Sequence, residues 1–371
     1  MLLVAGFLAS TLVVAQAGIA QEAVVYPADL PTLEAREFVR LGAFDDSVLA
    51  FSRITDLGVG PDGRLYVAQA QEASVVVLEP DGALVRRIGR RGQGPGEFLS
   101  PAGLGWRGDT LWVVDAASRR ISFFLDGLHL RSHAYGVLGQ VGSGNVATQL
   151  PLSNGAYAAV VTRSEASFAV LAVTANGEVV DTLASLLESY PLRVRVGTSS
   201  TSAPFHDFPL FQVEGGGDGV WIVDRPFPAE NRGAVTLVRV DAGGDTTVSK
   251  TLHLPARPLT DRDWSTRIES LFQALGDTPF SRAEYLAAAR RPAFHAVVDR
   301  ALVSEVGWVW LGRTPGSDGV KEWVLLDPHA TPRLRVILPA EFRPYHATAD
   351  AVWGVVSDQL GIPYLVGFRL E

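Results

Sequence analysis

The stretch "GRRGQGPGEFLSPAGLGWRGDTLWVVDAASRRISFFLDG" (Gly89–Gly127) decides how this chain folds. Its first ten residues, Gly89 to Phe98, hold four glycines, a proline, two arginines and a glutamate. Such a run can cradle a phosphate, link two domains or turn a corner. A phosphate loop needs G-x-x-x-x-G-K-[ST] opening a helix, and a dinucleotide fingerprint also needs a helix behind its glycines. Here Phe98, Pro101 and a strand-like run follow instead. The segment therefore reads as a structural corner. Several of its positions need glycine torsions, Pro95 stiffens it, Glu97 accepts hydrogen bonds from its own amides, and Phe98 plugs an apolar gap.

Beyond the corner, "RGDTLWVVD" (Arg107–Asp115) is a turn followed by an apolar run. The same mark recurs at "PDGRLYVA" (Pro61–Ala68), "SNGAYAAV" (Ser153–Val160), "GDGVWIVD" (Gly217–Asp224), "VGWVWLGR" (Val306–Arg313) and "ADAVWGVV" (Ala349–Val356). One aromatic holds the same phase in each: Tyr66, Trp112, Tyr157, Trp221, Trp310 and Trp353. Where nothing intervenes the spacing is about 45 residues, the length of a four-stranded propeller blade. The turn residues accept the positive φ that a tight hairpin demands. Runs such as "LWVV" lack alternation because the strand they form is buried on both faces. A second turn, at Asp81-Gly82, Asp126-Gly127, Asn176-Gly177 and Gly243-Gly244, fits the hairpin between third and fourth strands. "LDPHATPRLRVIL" (Leu326–Leu338) does the same with prolines. The sixth unit stops at Glu371 without room for a fourth strand, and "EFVRLGAF" (Glu37–Phe44) is left unassigned ahead of the first. The expectation is an all-β, six-bladed β-propeller whose N-terminal strand closes the ring and removes a free sheet edge.

Gly89–Gly127 resembles an NHL repeat: G-x-G-P-G-E-F, Pro101, a turn, an apolar strand ending in Asp115, Arg120-Ile121 and an Asp-Gly turn. The first two units carry the resemblance most fully. It implies a six-bladed propeller of the NHL-repeat or TolB-like type, like secreted bacterial propellers of unassigned activity. Ligands of such propellers bind at the mouth of the axial channel. The calcium lactonases of this fold carry Glu, Asn and Asp at inner-strand channel positions. The corresponding residues here are mostly Ala, Phe and Arg, so the resemblance favours binding over catalysis.

The 371 residues carry a formal net charge of −8, with 47% hydrophobic content. That balance, without clustered Lys and Arg, argues against nucleic acid and anionic membranes. There is no cysteine, hence no disulfide, thiolate metal site or thiol nucleophile. Residues 1–20, "MLLVAGFLASTLVVAQAGIA", are uncharged and end in small residues, as a signal peptide does. The run is nearly long enough to span a bilayer, so a retained anchor is the alternative. Residues 21–371 then form one propeller domain, exported to the periplasm or beyond.

Two inserts break the period. "SLLESYPLRVRVGTSSTSAPFHDF" (Ser185–Phe208) reads as a long surface loop between blades three and four. Residues 257–292, between blades four and five, read as two helices, with capping boxes at Thr260/Asp263 and Ser281/Glu284. Trp264, Ile268, Leu271, Phe272 and Leu275 form one apolar stripe, and Tyr285, Leu286 and Ala289 another. Both inserts leave from outer-to-inner connections and share one face, so the helices are expected as a wall at the channel mouth or as a decoration on the rim.

Counting back from the aromatics places Asp56, Arg300 and Arg343 at one phase of neighbouring inner strands, with Ala102, Ala147 and Phe211 as their equivalents. Two guanidiniums suit an anionic ligand, because Arg offers a planar fork to carboxylate or phosphate. The structural alternative, favoured on cost, pairs Asp56 with the arginines across the closure seam, since a buried Arg needs a partner. His206 and His295 fall at matching phases, each after a phenylalanine, and His346 lies inside inner strand six. Convergence of these histidines would hold a divalent metal; otherwise no cofactor is called for, and packed or solvated histidines are the favoured reading. Asp115 and Asp224 end second strands, with Arg313 in that place in blade five; acids there can bind calcium in propellers, but the role the family resemblance implies is turn hydrogen bonding. The leading reading is a module that binds a small anionic or sugar-like ligand, or a partner protein, on the insert-bearing face. A metal-assisted hydrolase, lactonase or lyase and an envelope scaffold are the alternatives.

Overall fold

The computed structural model describes residues 23–42, 50–134, 146–164, 167–187, 192–316 and 319–371. Six sheets of antiparallel blade strands are arranged as a propeller, five of them running in chain order from an inner to an outer strand and the sixth taking its outer strand from the N-terminal segment. The inner strands are Ile54–Val59, Pro101–Arg107, Val146–Pro151, Leu210–Val213, Val298–Val303 and Arg343–Ala347. The aromatic-bearing runs are the second strands, and all six marker aromatics are buried. No common centre holds the apolar residues. They form one cluster at each junction between neighbouring blades, such as Tyr66, Val75, Leu104, Val113 and Phe124 between blades one and two. Doubly buried strands follow: Leu65–Gln69 and Ser74–Leu78 are covered along their whole length.

The corner from Gly89 to Phe98 is built as its sequence implies. Gly89 and Gly96 have φ of 77° and 73°, in the left-handed region. A Cβ on Gly89 would stand 2.3 Å from the Phe98 ring, and one on Gly92 would stand 2.0 Å from Glu97 Oε2. Glu97 accepts from the Gly94 amide at 2.8 Å and from Arg90 Nε at 2.8 Å. Phe98 is fully buried against Phe124, ring centroids 5.8 Å apart. Asp115 ends its strand by accepting from the amides of Leu99 and Ser100, at 2.7 and 3.0 Å, and so ties the corner to blade two.

The ring closes through the N-terminal segment. Ala35–Leu41 pairs antiparallel with Pro363–Leu370 as the outer strand of blade six, with Val39 opposite Gly367 and Glu37 opposite Phe368. Phe38 meets Trp353 edge-on, centroids 5.1 Å apart. The residues just before this strand do more than the sequence suggested. Ala23–Val24 adds a parallel strand to the outer edge of blade four, and Thr32–Leu33 adds one to blade five. The N-terminal segment thus runs along three consecutive outer edges. The 1–20 segment and the end of the "EFVRLGAF" stretch lie outside the described residues.

Two helices lie between the outer strand of blade four and the inner strand of blade five: α1 (Asp261–Leu275) and α2 (Arg282–Ala288), each opened by a capping box. The first insert is not the loop expected from its Ser/Thr tract. Arg193–Val196 pairs with Ser199–Ser202 as a hairpin around Gly197, φ 59°. Alternation explains it: Val194 is buried while Arg193 and Arg195 face out. The hairpin is what the helices cover. Val194 and Ala203 join Ile268, Leu271 and Tyr285 in one buried cluster, and Tyr285 Oη donates to Ser202 O at 2.8 Å. The inserts therefore form one module, each burying the other's apolar side.

Candidate functional site

Strand order assigns each residue to an end of the channel. Outer-to-inner connections, including both inserts, emerge at one end; first-to-second-strand turns emerge at the other. Register then fixes the levels. Asp56 pairs with Ala68, Arg300 with Gly312 and Arg343 with Val355, each two residues beyond its marker aromatic. These three do share a level. The equivalents in the other blades are Gly103, Gln149 and Leu210, not Ala102, Ala147 and Phe211. Irregularities in the inner ladders of blades one, two, three, five and six, and unequal first turns, shift the count. The Ala147 side chain lies outside the described residues.

Sharing a level does not bring Asp56 to the arginines. Its carboxylate accepts from the Leu57 amide at 2.9 Å and the Leu104 amide at 2.8 Å, so it ties blade one to blade two. The expected Asp56–Arg pairing across the seam is absent among the described residues. The seam is closed instead by strand pairing and by the cluster of Phe51, Ile54, Leu57, Trp353, Val355 and Leu365.

Burial pushes the Asp56 carboxyl from 3.8 up to about 6, against its two amide hydrogen bonds and the field of His346. A carboxyl raised on folding takes up a proton between those values. The stability this lends is full below about pH 4 and is lost as pH rises through about 6. Asp56→Asn is therefore expected to flatten the slope of melting temperature against pH over that window, whatever it does to the absolute value. Melting curves in a pH series check this, and an unchanged slope would show that Asp56 does not titrate there.

At the insert-bearing end, Arg300 and Arg343 stand on adjacent inner strands. Burial, and next the charge of Arg343, lower the pKa of Arg300, while Asp299 opposes them. Neither guanidinium has a hydrogen-bond or ion-pair partner among the described residues. Asp299 is instead bonded by Lys321 Nζ. Beside them Arg225 is buried and donates to Phe208 O at 3.1 Å and to Val298 O at 3.0 Å, joining blade four to blade five. Asp207, Asp224 and Asp299 all act on its charge. Asp224 is not a simple turn acceptor: burial, then the neighbouring Asp207, raises its pKa. The sequence reading missed Arg225, since a single Arg after an apolar run looks like a strand end.

The histidines do not converge. His295 is buried, donates from Nε2 to Asp263 Oδ2 of α1 at 3.1 Å, and meets the Phe205 ring edge-on at 5.7 Å. Phe205 also stacks on Trp264 of α1, 5.9 Å away, so the pair anchors the insert module to blades four and five. Burial would raise Asp263, but hydrogen bonds from His295 and Thr260 hold it well below the usual carboxylate range. His206 is partly buried at the same end, its Nδ1 without a hydrogen bond, and burial lowers its pKa. His346 faces the other end, with Nε2 2.9 Å from Glu305 Oε1. Among the described residues no group of three His, Asp or Glu side chains is placed to hold a metal ion.

That other end contains a cavity of about 450 Å³. At the level of the marker aromatics the inner strands carry Gly58, Gly105, Pro151, Gln212, Leu302 and His346. The glycines let two indoles approach the backbone. A Cβ on Gly58 would stand 2.7 Å from the Trp106 ring, and one on Gly105 would stand 2.3 Å from the Trp112 ring. Both indoles thus pack flush against bare backbone and contribute to the cavity wall.

A family model agrees with this architecture. The family DUF5128, described as a 6-bladed beta-propeller, matches residues 33–135. No curated protein matches the chain. Among solved structures the chain is similar to a Bacteroides fragilis protein classed as exported, with TM-score 0.50 and 13% identity over 94% of this chain and 98% of that one. It is also similar to a DUF4221 family member from Bacteroides vulgatus, with TM-score 0.49 and 8% identity over 92% and 99%. Virginiamycin B lyase from Staphylococcus aureus gives TM-score 0.40 and 10% identity over 90% and 99%.

Proposed function

We propose that this chain is an exported propeller of the NHL-repeat kind that binds a small anion at the insert-bearing end of its channel, held by Arg300 and Arg343. One observation carries the reading: two guanidiniums lie within each other's field on neighbouring inner strands, and neither has a partner among the described residues. Holding like charges together is unfavourable, and a bound carboxylate or phosphate relieves the repulsion through the bidentate geometry that Arg offers. The insert module, fixed beside them through Phe205, Trp264 and His295, supplies a wall on the same side. Export rests on the uncharged apolar segment 1–20 with its small-residue ending.

The test uses inorganic phosphate and citrate at matched ionic strength. A ligand at about a hundred times its Kd adds about 2.7 kcal/mol to the folded state, so the wild-type melting temperature should rise with either anion. Arg343 is exposed, so Arg343→Gln should fold and lose most of that rise. A rise that survives in Arg343→Gln, or none in the wild type, would remove the reading.

A further inference from the structure

We infer that the turn-bearing end of the channel is a separate site for a small organic cation, a protonated amine, held between Asp56 and Glu305 within aromatic walls. This inference is independent of the anion reading and concerns the half of the channel toward the first-to-second-strand turns, with Asp56 at its inner limit, level with Arg300 and Arg343.

The cavity of about 450 Å³ is of the size that takes a small molecule. Trp106, Trp112, Phe211 and Tyr345 line it, together with Asp56, Glu214, Glu305 and His346, and no Lys or Arg does. Of the three carboxylates only Glu214 is neutralised: Arg239 holds it in two hydrogen bonds, at 2.6 and 2.7 Å, and Trp221 Nε1 donates to it at 2.9 Å. Asp56 is held by backbone amides alone, which position its charge without cancelling it. Among the described residues Glu305 is faced by His346, Nε2 2.9 Å from Oε1, a counter-charge when the imidazole is protonated, and that buried Nε2 makes no aligned hydrogen bond. The wall therefore carries more carboxylates than cations, Arg239 answering Glu214 and His346 alone standing beside Glu305, together with four aromatic side chains.

Each part favours the same class of ligand. Aromatic faces attract an ammonium group through the ring quadrupole, most strongly for Trp. Carboxylates at the wall accept its N–H groups in charge-assisted hydrogen bonds. An anion would be repelled by the same groups. A neutral ligand would gain the apolar contacts but leave the carboxylates without a counter-charge.

Trp106 and Trp112 supply the signal. Tryptophan fluorescence of the full chain is titrated with phenethylammonium chloride and, separately, with 2-phenylethanol, at constant ionic strength with added phosphate. Saturable change with the amine, at least tenfold weaker with the alcohol, is expected. Glu305 is partly exposed, at 46%, so Glu305→Gln should fold, and the lost charge-assisted bond should weaken amine binding by roughly tenfold. Asp56→Asn should weaken it as well, with circular dichroism confirming the fold. Equal binding of amine and alcohol would reduce the cavity to an apolar hole. Undiminished binding in Glu305→Gln, or displacement of the amine by phosphate, would overturn the proposal.

Discussion

Removing residues 23–42 is expected to abolish cooperative folding. The truncated chain would lose the outer strand of blade six and the parallel strands on blades four and five. Pro363–Leu370 would then be a bare edge carrying Leu365, Val366 and Phe368, the kind of strand that recruits other chains. A domain's whole stability is about 5–15 kcal/mol, and losing a seven-residue ladder with its packing consumes that margin. The truncated protein should elute as aggregate and show no sharp melting transition. A monomer melting within a few degrees of the full chain would show that the ring closes without its clasp. A milder probe acts at the same seam. A Cβ on Gly367 would stand 2.9 Å from the rings of both Phe38 and Trp353. Gly367→Val should cost about 1–3 kcal/mol by overpacking.

Phe98→Ala should be the most damaging single truncation. The ring is fully buried and fills the junction of blades one and two from the corner above it. Deleting a buried phenylalanine costs about 3–5 kcal/mol, and more when the cavity cannot collapse. Collapse is hindered here, because the corner is tied down by Phe98 N to Arg90 O at 2.8 Å and by Asp115 to Leu99 and Ser100. Gly89→Ala attacks the same contact from the other side, through a left-handed φ and a Cβ that would meet the ring. Urea unfolding midpoints measure both. If both variants stay within about 1 kcal/mol of the wild type, the corner is not a structural keystone.

The architecture was legible because its signals are local and repeated. An Asp-Gly or Asn-Gly turn, an aromatic and a doubly buried strand recur often enough to count, and the helices announced themselves by their caps. Levels within the inner strands were less legible. A one-residue irregularity near Asp56 or Arg300, and first turns that differ in length between blades one and two, leave no residue-type signature. That is why Ala102 and Phe211 were assigned places that belong to Gly103 and Leu210. The strands at Ala23–Val24 and Thr32–Leu33 are too short for any periodicity, and the hairpin around Gly197 hid behind serines and threonines. The cavity was invisible for a plainer reason. Its walls depend on indoles seated where Gly58 and Gly105 lack side chains, and Glu305 reads as an ordinary turn acid.

The path of the N-terminal segment constrains how the molecule can assemble in time. Ala23 sits opposite Leu252, Thr32 opposite Arg335 and Ala35 opposite Leu370, so this segment finds its partners more than two hundred residues further along the chain. Contacts that join such distant parts of a chain are slow to form, because loop-closure entropy is spent before any pairing rewards it. Blades one to three can zip up as they appear, while blades four to six wait with open flanks for the opening segment to lie across them. The clasp is therefore expected to form late, and a ring that still lacks it would expose the flanks most open to aggregation and proteolysis.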